Sequence, residues 1–167
     1  MTHDLCREEN FKAVFMEQSE GLRNFMFYKT KSYQQAEDIV QEAFSRMWEN
    51  CAKVLVNKTK SYLFTIANNL FLNQVKHQKV VLKFEQRGHT QRTDEDPAFL
   101  LLEQEFKERL EKAISDLPEG QRVVFLMNRI DQMKYREIAD TLQISVKAVE
   151  KRMHKALSAL RKVSKKV

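Results

Sequence analysis

Two amphipathic runs separated by only three residues constrain this chain more than anything else in it. The first, residues 134–142, sets Ile138, Ala139 and Leu142 on one helical face. The second, residues 146–161, carries Val149, Met153, Ala156, Leu157 and Leu160. Their spacing of i, i+4, i+7, i+8 and i+11 makes one apolar stripe at a helical period. Gln143-Ile144-Ser145 is too short for anything but a tight turn. Ser145 suits the N-cap of the second helix, because its hydroxyl can accept an otherwise unpaired N–H. A tight helix pair whose second member is rich in Lys and Arg is the pattern of a DNA-reading helix-turn-helix. Opposite the stripe lie Lys147, Glu150, Lys151, His154, Lys155 and Ser158. Such side chains reach phosphates or base edges. An ordinary solvated face on a helical hairpin is the alternative.

Charge points the same way. The net charge is +6, yet residues 134–167 hold ten basic and three acidic side chains, and the preceding residues sum to about −1. A polyanion is the natural partner of such a tail. Three Gly and two Pro in 167 residues argue against a turn-rich β fold and for an all-α one. Cys6 and Cys51 are too few for a disulfide framework or a zinc site, which fits a reducing cytoplasm. Asp4, Arg7, Glu8 and Glu9 interrupt any signal-peptide pattern. No apolar run approaches the roughly 18–20 residues of a membrane span.

Along the chain, Phe11, Val14, Phe15, Leu22, Phe25, Met26 and Phe27 predict one or two helices, interrupted by Gly21. Ser32 and Gln35 have capping-box spacing and open a helix to about Asn50. Its apolar set is Ala36, Ile39, Val40, Ala43, Phe44, Met47 and Trp48, and its polar face shows Asp38, Gln41, Glu42, Ser45 and Arg46. On the residues alone, that face reads equally as solvated surface or as function. Residues 51–60 are expected to be a loop. Ser61 is expected to cap a helix from Tyr62 to about Gln78. Asn68, Asn69 and Asn73 lie within that helix although Asn is a poor helix former. They are either base-contacting groups or surface residues near a helix end. The polar run from Gln86 to Pro97 reads as a flexible linker. Helical pattern resumes at Phe99, and Pro118 begins a further helix. The result is two small helical domains, residues 8–80 and 101–165, joined by a linker at 81–100. The second is a four-helix module ending in the helix-turn-helix.

Four stretches in order resemble the bacterial RNA polymerase sigma factors of the extracytoplasmic-function (ECF) type. They are Asp38-Ile-Val-Gln-Glu-Ala-Phe44, Tyr62-Leu-Phe-Thr-Ile-Ala-Asn-Asn69, Leu117-Pro-Glu-Gly-Gln-Arg122 and Tyr135-Arg-Glu-Ile-Ala139 with the helix that follows. The resemblance spans residues 8–164. It implies a first domain that binds core polymerase and melts the minus-ten promoter element, and a second that reads the minus-thirty-five element. Asp38, Gln41, Glu42 and Ser45 then fall on the polymerase-binding helix, which turns that polar face toward function. Lys58, Lys60, Asn68, Asn69, Asn73 and Lys76 become the minus-ten set. Asn69 falls where the family holds an extruded base, and residues 51–60 where its pocket is built. Extrusion costs a few kcal/mol of stacking, which replacement contacts must supply. Glu150, Lys151 and His154 match the base-facing positions of the minus-thirty-five reader, with Arg136, Lys147, Arg152 and Lys155 as phosphate contacts.

Three departures from the family pattern stand out. Lys134 replaces a common Ser or Thr cap, Ala148 a common Thr, and Asn73 a common Asp. Without an autoinhibitory N-terminal extension or a long C-terminal one, regulation is expected from an anti-sigma factor. The free chain is expected to be a monomer with no cofactor, no metal and no membrane insertion. A stand-alone helix-turn-helix regulator is the competing reading, and it needs a dimerisation or ligand domain that residues 1–100 do not suggest. For an enzyme acting on nucleic acid, His3, His77, His89 and His154 are too scattered, and no Gly-rich phosphate loop occurs.

Overall fold

The computed structural model describes the backbone of residues 5–81 and 98–164, with side chains over 5–76 and 105–162. Among them are seven α-helices and two short 3-10 turns. The helices are α1 (Glu8–Thr30), α2 (Tyr33–Glu49), α3 (Thr59–Val81), α4 (Ala98–Asp116), α5 (Glu119–Arg129), α6 (Tyr135–Leu142) and α7 (Val146–Ser164). The 3-10 turns, Cys51–Lys53 and Val56–Lys58, lie between α2 and α3. No described residue is in a strand. Most of the predicted linker falls outside the described residues.

Local chemistry sets the helix ends. Helix α1 begins with Glu8 and Glu9 in its first turn, where negative charge complements the helix dipole. It runs through Gly21 as one helix and closes on Lys31, whose left-handed backbone (φ 59°) returns its N–H to the Phe27 carbonyl at 2.8 Å. Ser32 then caps α2 by accepting the Gln35 N–H at 3.3 Å. The predicted apolar face of α2 is buried, from Ala36 through Met47. Trp48 departs from it: 44% exposed, it packs edge-on against Phe11 with ring centroids 4.9 Å apart.

Two expectations fail here. Ser61 does not cap α3, which starts at Thr59. The second 3-10 turn runs straight into the helix, and Thr59 Oγ1 donates to the Val56 carbonyl at 2.9 Å. That part-buried bond stabilises the turn-to-helix junction two residues before the serine. Cys6 and Cys51 are also not idle thiols. They form one disulfide, Cα atoms 5.1 Å apart, that ties the start of α1 to the residue after the C-cap of α2. A count of two cysteines gave no sign of it, because the two lie 45 positions apart and are brought together only by the α1–α2 hairpin.

In the C-terminal half, Pro118 occupies the N-cap of α5 rather than its first turn. The weak cap expected at Lys134 is relieved by Glu137, whose carboxylate accepts the Lys134 N–H at 2.7 Å. Gln143 turns the chain through a left-handed conformation (φ 54°). Ser145 Oγ accepts the Ala148 N–H at 3.1 Å and starts α7 as expected. Val149, Met153, Ala156 and Leu160 of α7 are buried.

Helices α1–α3 pack together, as do α4–α7, and α1 also packs against α5. One apolar core runs from Leu22, Met26 and Leu63 through Val123, Val124 and Met127 to Ile138, Val149 and Met153. A smaller cluster of Leu117, Ala156 and Leu160 joins α4 to α7. The two helical groups are therefore held against each other along a shared seam.

Candidate nucleic-acid interface

Asp38, Gln41, Glu42 and Ser45 project from one side of α2, and all four are exposed. Their spacing of i, i+3, i+4 and i+7 follows from the opposite face being committed to the core. Glu42 also accepts from Arg46 Nε at 2.7 Å, an exposed pair that orders the carboxylate while adding little stability. The Gln34 amide lies 3.4 Å from Asp38 Oδ1.

On α3, Asn69, Asn73 and Lys76 are exposed, again at i, i+4 and i+7, and so form a polar stripe. Lys58 is exposed in the turn leading into α3, and Lys60 in the first turn of α3 itself. Lys60 Nζ lies 6.0 Å from the centre of the Phe64 ring. Asn68 stands apart from this stripe. Its Oδ1 accepts from Lys29 Nζ at 2.7 Å, and it lines a crevice of about 700 Å³ between the two helical groups.

On α7, Lys147, Glu150, Lys151, His154 and Lys155 are exposed together, with Arg136 exposed on α6. Arg152 does not join them. Its guanidinium lies over Gly120, where a Cβ would come within 3.3 Å of Nη1, and it lines the same crevice as Asn68. One candidate from each DNA-facing set therefore points into the seam.

The seam itself is built from residues that the sequence did not single out as a group. Arg122, only 6% exposed, donates from Nε to the Tyr28 carbonyl at 2.8 Å and from Nη1 to the Leu117 carbonyl at 2.7 Å. Weaker contacts reach the Ser115 and Lys29 carbonyls at 3.3 and 3.4 Å. Burial pulls its pKa below the usual arginine value, and nearby Glu119 opposes that shift. The guanidinium thus joins the last turn of α1 to the α4–α5 corner. Beside it, Asp131 Oδ1 accepts from Asn24 Nδ2 and from the Tyr28 hydroxyl, each at 2.9 Å. Burial, and then this carboxylate, push the Tyr28 hydroxyl well above the ordinary tyrosine range. Lys29 pairs with Glu119 at 2.7 Å while lying over the rings of Phe25 and Phe71. Lys31 reaches the Ser115 carbonyl. The signal for Arg122 was its place in the Leu117-Pro-Glu-Gly-Gln-Arg122 stretch, but no local pattern reveals which carbonyls it meets.

Among the described residues, no group of three His, Cys, Asp or Glu side chains is arranged to hold a metal ion. No described helix is long and apolar enough to cross a membrane.

The family model for Sigma-70 region 2 matches residues 15–80, and that for Sigma-70, region 4 matches residues 107–160. The ECF RNA polymerase sigma factor SigW of Bacillus subtilis (strain 168) is 31% identical over 156 residues, 81% of this chain and 83% of its own length. SigM of the same organism is 31% identical over 142 residues, covering 81% and 85% of the two chains. Among solved structures, the sigma factor RpoE of Bartonella quintana, in complex with the anti-sigma factor NepR, has a TM-score of 0.64 at 17% identity, covering 94% of this chain and 98% of that one. CnrH, in complex with the cytosolic domain of CnrY, has a TM-score of 0.60 at 19% identity, covering 95% and 90%. The structural likeness is one of fold. The sequence relatives, with both matched regions in order, decide the family: this chain belongs to the ECF RNA polymerase sigma factors.

Proposed function

We propose that this sigma factor contacts core RNA polymerase through the outer face of α2, melts the minus-ten element with α3 and the turn before it, and reads the minus-thirty-five element with α7. It works as a binding subunit in the cytoplasm, with no chemistry of its own. The domains run over residues 8–80 and 101–165, with a tether at 81–100. The observation that best supports the polymerase contact is the bare polar face of α2, with Asp38, Gln41, Glu42 and Ser45 exposed above a fully packed underside. A helix already anchored by its apolar face can offer such side chains at little ordering cost.

The seam defines a resting state. Asn68 is held by Lys29, and Arg152 faces it across the crevice. Promoter engagement therefore requires the C-terminal helices to leave α1 and α3. An anti-sigma factor is the natural partner to hold the chain closed, by analogy with NepR and CnrY in the two related complexes.

In vitro transcription with core polymerase and a library of promoter fragments tests the whole reading. The expected result is promoter-selective transcripts that depend on the added chain. Transcription that ignores it, or binding to a palindrome without polymerase, returns the reading to a stand-alone regulator.

A further inference from the structure

We propose that Cys6 and Cys51 are a reversible dithiol–disulfide switch that sets how well the turn over residues 51–58 is ordered for promoter melting. The proposal rests on the minus-ten role given to that turn above.

The disulfide sits where α1 begins and the turn begins. Cys6 lies one residue before Arg7, the N-cap of α1, and Cys51 opens the first 3-10 turn. Both cysteines are only partly buried, so small thiols can reach them. Leu5, next to Cys6, is 1% exposed in the core. Phe11 packs against Trp48 at 4.9 Å and against Phe44 at 6.1 Å, which clamps the same ends of α1 and α2 together. These contacts do not depend on the sulfur–sulfur bond and keep the two thiols close when it is open. Bond formation is then intramolecular and readily reversed. A reducing compartment rarely keeps a structural disulfide, and the ones it holds are mostly transient and redox-sensing.

The two sulfurs have unequal environments. Cys6 stands beside Arg7 at the N-terminal end of α1, whereas Cys51 follows the C-terminal end of α2. Cys6 is the attacking thiol and Cys51 the resolving one. The oxidant is a low-molecular-weight disulfide. The Cys6 thiolate attacks one of its sulfurs, forms a mixed disulfide and expels a thiolate. The Cys51 thiolate then attacks the Cys6 sulfur and expels the second. Two electrons pass from the protein thiols to the small disulfide, and their two protons leave on the two released thiols.

The consequence for the turn is mechanical. Its far end is anchored in both states by buried Thr59 and the Thr59–Val56 bond. Its near end is anchored covalently only in the oxidised state. Leu55, 62% exposed, and Lys58 lie between those anchors. Oxidation ties the near end of the turn covalently to the start of α1, and reduction leaves that end to buried Val54 and the Phe11 contacts alone, which loosens it.

The test uses the full wild-type chain equilibrated with mixtures of reduced and oxidised glutathione. Alkylation and mass measurement report the thiols, and transcription with core polymerase on the promoter library reports melting. The pair is expected to oxidise and reduce reversibly. The oxidised form should open duplex promoters about tenfold faster, the penalty expected if one reduced chain in ten has a competent turn. The difference should vanish on templates with a premelted minus-ten bubble and in Cys51→Ser. A pair that never oxidises, or that stays oxidised in excess thiol, overturns the switch. So do equal opening rates in two transcriptionally active forms. If no library fragment is transcribed in either form, the minus-ten reading is what has failed, and the thiol measurement still reports separately on the pair.

Discussion

The outer face of α2 and the Asn68 side of α3 are both polar surfaces on core helices, yet they stand in different states. The first is bare, and its side chains meet only neighbours on their own helix. The second is engaged, with Asn68 tied to Lys29 and a crevice shared with Arg152. On the proposed roles, a polymerase contact at α2 needs no rearrangement, whereas Asn68 and Arg152, one candidate from each DNA-facing set, are coupled to the seam. Variants on α2 should act on binding alone. Variants in the seam should act on stability and domain closure together.

Arg122→Ala should have the largest effect. It removes a buried cation and strands the Tyr28 and Leu117 carbonyls. Hydrogen bonds from charged groups are worth about 1.5–3 kcal/mol each, so a loss of roughly 3 kcal/mol is expected. Urea denaturation should register it, together with a longer distance between fluorophores placed on α2 and α7. A variant that is as stable and as closed as the parent would remove Arg122 from the seam.

Replacing Gln41 and Glu42 with Ala should do the reverse. Exposed substitutions change stability by within about 0.5 kcal/mol, so the melting curve should hardly move. Affinity for core polymerase should fall by about 2 kcal/mol, the scale of an interface hot spot. Unchanged affinity for core would remove the contrast between the two faces.

Within α7, two neighbouring lysines should behave differently. Lys151→Ala, in assembled holoenzyme, should change which upstream base is preferred, by about 1–3 kcal/mol at one position. Lys155→Ala should weaken all promoters alike and lower the salt slope by close to one unit. The opposite pattern across a minus-thirty-five library would mean that the helix meets DNA in another rotation.

Tyr28→Phe should have the smallest effect. It removes one bond to Asp131 and leaves the Asn24 bond in place, which costs about 1 kcal/mol. The Tyr28 pKa is raised by folding. Its contribution is therefore whole below the ordinary tyrosine pKa of about 10 and is lost as pH rises toward the folded value. Alkaline titration of stability should be shallower in the variant than in the parent, and parallel curves would contradict the assignment.

Legibility in the sequence followed the range of the interactions. Ser32 and Ser145 cap their helices as their positions imply, because a cap bonds within three residues. The buried stripes of α2 and α7 were readable for the same reason, since a period of 3.6 is a local property. Ser61 misled because Thr59 makes a tighter junction with the turn before it. Trp48 misled because periodicity places a residue at the edge of a stripe without saying whether a neighbour covers it.

The helices, their inward faces, the helix-turn-helix and, through four ordered stretches, the family were legible in the residues alone. The tertiary structure alone decided three pairings: Cys6 with Cys51, Arg122 with the end of α1, and Asn68 and Arg152 on one crevice. The physical reason is distance along the chain. Helix signals arise between residues three or four apart, whereas Arg122 and Tyr28 are 94 apart and Tyr28 and Asp131 are 103 apart. Nothing in the local pattern encodes which distant carbonyl a buried guanidinium meets. That choice is made only when α1 and α5 pack and every buried donor between them must find an acceptor.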